Sequence, residues 1–168
     1  ARNDQWRSKG LVQAFDAKGN SLWDFETKGW VEGVVFGPNN SVIALSTLYQ
    51  GANSGPGKID ANYVQGTIYA LDRKTGKLIW KFEALGHFLS MPIVEGNNVI
   101  AGTMGFLWEG SANREAPRIF ALDAQTGKGR WTLALKGHVI SRDNLFSPPR
   151  SRISVSETIV CVAQSAVP

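Results

Sequence analysis

Few side chains in this sequence are equipped to do chemistry. His87 and His138, the two histidines among 168 residues, each follow a glycine, in Gly86-His-Phe88 and Gly137-His-Val139. An imidazole serves as general base, metal ligand or switch only where a partner is supplied. At a regularly repeated position it reads instead as a turn element whose ring satisfies backbone groups. Trp30 holds the corresponding place in Gly29-Trp-Val31. The single Cys161 lies in the apolar run Ile159-Val-Cys-Val162 and reads as a small buried hydrophobe. It forms no internal disulfide, and no Cys/His spacing matches a metal site. Neither a catalytic residue nor a metal ligand is assigned.

Binding chemistry is better represented. Two stretches, 48–65 and 104–117, have the Gly, Pro and Asn content of loops. They carry Tyr49, Tyr63, Phe106 and Trp108. Large aromatic rings with few rotamers dominate interface hot spots, so these four are candidate anchors. In a compact loop the same rings also serve to pack the loop onto its own scaffold.

What positions these groups is a repeated hairpin. Gly66-Thr-Ile-Tyr-Ala-Leu-Asp-Arg-Lys-Thr-Gly-Lys-Leu-Ile-Trp-Lys-Phe82 contains two apolar runs around a polar turn. Gly76 can take the positive φ that a short hairpin loop requires, and Asp72 and Thr75 can cap the turn's free amides. The pattern returns 51 positions on, from Asp72 to Asp123, as Arg118-Ile-Phe-Ala-Leu-Asp-Ala-Gln-Thr-Gly-Lys-Gly-Arg-Trp131. A worn copy, one residue short and lacking the Thr, precedes both as Val12-Gln-Ala-Phe-Asp-Ala-Lys-Gly-Asn-Ser-Leu-Trp23.

A second unit follows each hairpin. The Gly-Trp or Gly-His pair opens an apolar run, which leads into a turn (Asn39-Asn40, Asn97-Asn98 or Ser156-Glu157) and another short strand. Each repeat is then four short strands with no sustained helical period. Four antiparallel strands per repeat is the signature of a propeller blade. The predicted fold is all-β, an incomplete ring of about three blades. The expected divisions are 1–27, the end of one blade; 28–83 and 84–135, two whole blades; and 136–168, the first half of another.

The pattern Ala-x-Asp-x-x-Thr-Gly-Lys-x-x-Trp resembles the tryptophan-docking repeat of the quinoprotein-type (PQQ-like) β-propellers. The match runs through Ala70, Asp72, Thr75, Gly76 and Trp80, and again through Ala121, Asp123, Thr126, Gly127 and Trp131. It is partial at Ala14, Asp16, Gly19 and Trp23. The resemblance implies a structural role for these residues. The indole, on the outermost strand, wedges against the next blade with its N–H on a backbone carbonyl, and the facing Ala leaves room for the ring. The superfamily holds pyrroloquinoline quinone dehydrogenases and non-enzymatic members similar to the lipoprotein scaffold of outer-membrane assembly. It also implies a periplasmic or extracytoplasmic location, although residues 1–6 have no apolar signal region.

Closed propellers have four to eight blades. The chain is therefore expected to be a piece of a longer propeller, the alternative being an assembly that closes between subunits. Insertions at one repeat position emerge on one side, which places both long loops on the rim with Trp30, His87 and His138. That rim is the expected binding surface.

Composition agrees with a β protein rich in turns: 43% hydrophobic, 19% charged, 18 glycines. The net charge of +4 is scattered, with several lysines in hairpin turns and no basic run among aromatics, so nucleic acid is not expected as a partner. No stretch has the roughly 18 apolar residues of a membrane helix. The expected function is a non-enzymatic binding or scaffold propeller that holds a protein segment or small ligand, with no cofactor evident in this chain. The alternative is part of a PQQ-dependent alcohol or sugar dehydrogenase, for which the resemblance implies PQQ, calcium, a carboxylate with an amide, and often an adjacent-cysteine ring. Asp143-Asn144 is the nearest carboxylate–amide combination. It follows Arg142 and precedes Pro148-Pro149, so it faces the channel or flanks a bulge where pairing stops.

Overall fold

The structure, a computed structural model, describes residues 9–49, 64–88, 91–103, 116–135, 152–155 and 160–163. Every regular element among them is a strand: β1 (Lys9–Phe15), β2 (Ser21–Lys28), β3 (Trp30–Gly37), β4 (Ser41–Tyr49), β5 (Val64–Asp72), β6 (Leu78–Leu85), β7 (Ile93–Glu95), β8 (Asn98–Thr103), β9 (Arg118–Asp123), β10 (Gly129–Ala134), β11 (Arg152–Val155) and β12 (Val160–Ala163). Strands adjacent in sequence are adjacent in space. They form two four-stranded antiparallel sheets, β3-β4-β5-β6 and β7-β8-β9-β10, flanked by the pairs β1-β2 and β11-β12. These are propeller blades in an open array.

The turns explain why the chain folds back where it does. Asp72 Oδ1 accepts the amides of Lys74 (3.0 Å) and Thr75 (2.8 Å) and the Thr75 hydroxyl (2.8 Å). Gly76, at φ 68°, sends its own amide back to the Asp72 carbonyl at 2.8 Å. Asp123 makes the same set with Gln125 and Thr126. In the worn copy Asn20 replaces the Thr, its Nδ2 donating to Asp16 Oδ2 at 2.8 Å while Asp16 Oδ1 caps Lys18 and Asn20. The carboxyls of Asp16, Asp72 and Asp123 are held below the ordinary range. The leading causes are the Asn20 hydrogen bonds, the Thr75 hydrogen bonds and the Arg130 guanidinium, respectively.

The middle strands β4 and β5 are buried on both faces. Ile43, Leu45, Ile68 and Ala70 look toward the next sheet, where they meet Val99, Ala101, Phe120 and Leu122. Val42, Ala44, Tyr69 and Leu71 look back onto Val12 and Trp23.

Each seam is closed by an indole. Trp23 stands opposite Ala14 and donates Nε1–H to the Arg73 carbonyl at 2.9 Å. Trp80 stands opposite Ala70 and donates to the Ala124 carbonyl at 2.9 Å. Both rings lie against the glycine of the receiving turn: a Cβ at Gly76 would fall 2.7 Å from Trp23, and one at Gly127 2.6 Å from Trp80. Trp131 stands opposite Ala121 yet is 41% exposed, unlike the buried ring that its motif implies.

Candidate functional site

The antiparallel order separates two rims. Turns 16–20, 38–40, 73–77, 96–97 and 124–128 share one. The other carries the strand ends Tyr49 and Val64, which pair with each other, and Thr103 and Arg118, which likewise pair. Loops 50–63 and 104–115 are anchored there but lie outside the described residues, with Tyr63, Phe106 and Trp108. His138 and the Asp143-Asn144 segment are also outside them. Tyr49 ends β4 at this rim, Trp30 begins β3 there, and His87 lies just beyond β6 in the crossover to β7.

The crossover is pinned at both ends. The Gly86 amide donates to the Val64 carbonyl at 2.9 Å, and Phe88, buried, bridges to Thr103 of the next sheet. His87 between them is aimed back at the preceding sheet, where its Nε2 lies 3.2 Å from Glu32 Oε1. Glu32 reaches it because β3 carries a bulge: Val31 pairs with Ser46 and Gly33 with Leu45, leaving Glu32 as the extra residue turned out of the ladder. Gly33 in turn makes room for the crossover, since a Cβ there would sit 2.9 Å from Met91 Cγ.

The Glu32 carboxyl is held below the ordinary glutamate range, chiefly by the His87 hydrogen bond and against partial burial. The buried Thr47 hydroxyl has no well-formed hydrogen bond, yet lies close enough to lower it a little further. Trp30, in register with Thr47, is 45% exposed beside the pair. Chemically the rim therefore offers an ionised carboxylate, an imidazole and an indole, which can hydrogen-bond and stack on a ligand. Glu32 is the residue that sequence reasoning missed. Its one signal is an acid inside the otherwise apolar Trp-Val-Glu-Gly-Val-Val-Phe36.

A second feature is a cleft of about 430 Å³ between β1–β2 and β5–β6, lined by Lys9, Glu26, Thr27, Lys28, Tyr69 and Lys81. The Lys28 amide donates to Tyr69 Oη at 3.1 Å, tying the two sheets. Three lysines face one glutamate in this lining, so it keeps a positive balance although Lys9 meets Glu26 at 2.6 Å and Lys81 meets Glu83, outside the lining, at 2.9 Å.

Four-stranded meanders stacked through docked tryptophans define the protein as a β-propeller of the PQQ-like kind. The chain belongs to the family described as outer membrane protein assembly factor BamB, whose sequence profile matches residues 8–166. Over 80 residues it is 35% identical to tetrathionate hydrolase of Acidithiobacillus ferrooxidans, a match covering 48% of this chain and 13% of that protein. Among solved structures it is similar to the Dos1 propeller, with TM-score 0.54 and 14% identity over 96% of this chain and 35% of the other. It is also similar to quinohemoprotein alcohol dehydrogenase ADHIIG of Pseudomonas putida HK5, with TM-score 0.51 and 19% identity over 74% of this chain and 18% of that one. The two structures share the fold. The chain spans well under two thirds of the length of each of the three. Among the described residues no helix is long and apolar enough to cross a membrane.

Proposed function

We propose that this chain is a binding or scaffold unit of a propeller outside the cytoplasm, without enzymatic activity of its own, that holds an extended protein segment on the rim of the two long loops. The observation that carries this reading is that the anchoring pairs Tyr49–Val64 and Thr103–Arg118 flank Trp30, Glu32 and His87 on a single rim. The family's description, assembly of outer membrane proteins, favours a strand of alternating apolar and polar residues as partner. Exposed indole, loop aromatics and a carboxylate–imidazole pair match such a segment, the rings taking side chains and the polar groups its backbone.

The test is affinity for a panel of ten-residue peptides with alternating apolar and polar residues. Shortening 48–65 or 104–117 is expected to weaken binding at least tenfold and leave the melting temperature nearly unchanged. Equal affinity after trimming both loops would place the site elsewhere.

A second reading is part of a PQQ-dependent dehydrogenase, favoured by the shared fold with a quinohemoprotein enzyme. The described residues do not fit a quinone–calcium site. Glu32 is engaged by His87, and the described asparagines stand at the opposite rim. Saturable quenching of tryptophan fluorescence by PQQ with calcium chloride would favour this second reading.

A further inference from the structure

We propose that the cleft between β1–β2 and β5–β6 is an anion site, built for a doubly charged oxyanion of the phosphate or sulfate class. Three lysines converge on it from three strands, Lys9 on β1, Lys28 on β2 and Lys81 on β6. Glu26 is the acid of the lining, so cations outnumber anions there, and they still do once Glu83 beside Lys81 is counted. The volume of about 430 Å³ falls within the ordinary span of small-molecule sites.

The strand register sharpens this balance. Lys9 and Lys28 stand directly opposite each other in the β1–β2 ladder. Like charges so placed repel and weaken a strand pair. Glu26 relieves Lys9, but Lys28 has no ion pair of its own among the described residues. Across the seam, Lys81 stands opposite Tyr69 within its own sheet. The Glu83 carboxyl is held below the ordinary range chiefly by Lys81, with a smaller contribution from Lys28, so both ammonium groups act on one acceptor from two sheets. The Lys9–Glu26 and Lys81–Glu83 pairs are exposed and hold weakly, which leaves either lysine able to turn to an incoming anion. An oxyanion among the three lysines would remove a repulsion that the sequence otherwise leaves standing.

Beneath the lysines lie Thr27 and Tyr69, both buried. Thr27 spends its hydroxyl on the Gly29 carbonyl at 3.1 Å. The Tyr69 ring is fixed edge-on to Phe25, with centroids 5.4 Å apart, and its Oη accepts the Lys28 amide at 3.1 Å. A phenol has one proton besides its lone pairs, so with the oxygen engaged by an N–H its O–H is left to donate to a ligand. Lys28 Nζ, Lys81 Nζ and Tyr69 Oη come from three strands and call for three acceptor oxygens about one centre. A tetrahedral oxyanion supplies them, whereas a carboxylate has only two oxygens. Hydrogen bonds of ammonium groups to such an anion are charge-assisted and strong. A free anion and a phosphate or sulfate ester on a larger molecule present this same chemistry.

Proton–nitrogen NMR of the 168-residue chain tests this, with inorganic phosphate and glycerol phosphate titrated separately at constant ionic strength. A saturable shift of the Lys28 amide, which reports on the Tyr69 hydroxyl, is expected. Tighter binding of inorganic phosphate would identify a free anion as the ligand, and tighter binding of glycerol phosphate an esterified one. Lys28→Gln and Lys81→Gln are each expected to weaken binding by about tenfold or more, through loss of a charge-assisted bond. Lys74→Gln removes the same charge in the turn 73–77 and is expected to change affinity by less than about twofold, because salt screens it. Without anion, Lys28→Gln is expected to raise the melting temperature by ending the repulsion with Lys9, and to abolish the further rise that phosphate gives the unaltered chain. Shifts that never saturate, saturable shifts centred away from Lys28 and Tyr69, or an equal loss in Lys74→Gln would each overturn the proposal. Retained peak dispersion in each variant shows that loss of binding is not loss of fold.

Discussion

The face of the Trp80 indole lies so close to Gly127 that a single methyl group on that glycine would fall 2.6 Å from the ring. With Nε1 fixed on Ala124, the ring has no direction in which to retreat. The two described indole seams are thus defined by what the receiving turn lacks as much as by what the indole brings.

Gly76→Ala and Gly127→Ala are expected to cost more than a positive-φ glycine alone explains. The left-handed backbone accounts for about 1–2 kcal/mol, and crowding of the ring adds about 1–3 kcal/mol. Gly96, at φ 54° with open space around it, supplies the control. Denaturation midpoints that rank Gly96→Ala equal to the two seam variants would remove the close-packing account.

Removing the indole should be costly where the ring is buried and cheap where it is exposed. Trp80→Ala is expected to lose about 3–5 kcal/mol, the range for truncating a buried aromatic residue. Trp131→Ala, at a ring 41% exposed, should lose under about 1 kcal/mol, as for surface changes. Equal losses would mean that exposure does not set what each indole contributes.

Acid should loosen the hairpin turns. The Asp123 carboxyl is lowered to about 2 from an ordinary 3.8, chiefly by Arg130, and Asp72 and Asp16 are lowered too. A carboxyl with a depressed folded-state pKa contributes its stability above the ordinary value and loses it as pH falls through the folded one. The melting temperature should therefore decline between about pH 4 and pH 2. Asp123→Asn should flatten part of that slope, and an unchanged profile in the variant would show that the turn carboxylate is not its source.

At the loop rim, His87→Ala takes from Glu32 the main cause of its lowered pKa. Carbon-13 NMR of the Glu32 carboxyl should show its titration moving up toward the ordinary glutamate range. With a partly exposed pair, the accompanying loss of stability should be about 1 kcal/mol. A carboxyl that titrates at the same pH in both proteins would mean that the imidazole is a bystander.

The fold was legible because its signal is local. Asp72, Thr75, Gly76 and Trp80 lie within nine residues, and their turn chemistry and strand pattern do not depend on distant partners. The rim was legible in outline for a topological reason, since antiparallel order fixes which ends of the strands share a side. The Glu32–His87 pair was not. It depends on a bulge between Val31 and Gly33 that shifts the register by one residue, and on a crossover 55 positions away, from Glu32 to His87. The 41% exposure of Trp131 escaped the reading too, because the motif reports the ring and its facing Ala121 and not what covers it.

The seams have a consequence for how such a protein can change. Turns 73–77 and 124–128 serve as sockets, and a socket that gains or loses a residue displaces the glycine under the indole. Length variation is therefore tolerated unequally: one side of the molecule is held to fixed dimensions by its neighbours' rings, while on the other the connections from Tyr49 to Val64 and from Thr103 to Arg118 join strand ends that already pair and can lengthen without displacing either indole. New specificities have an open road on that second side, and the joints underneath need not be re-made each time one is tried.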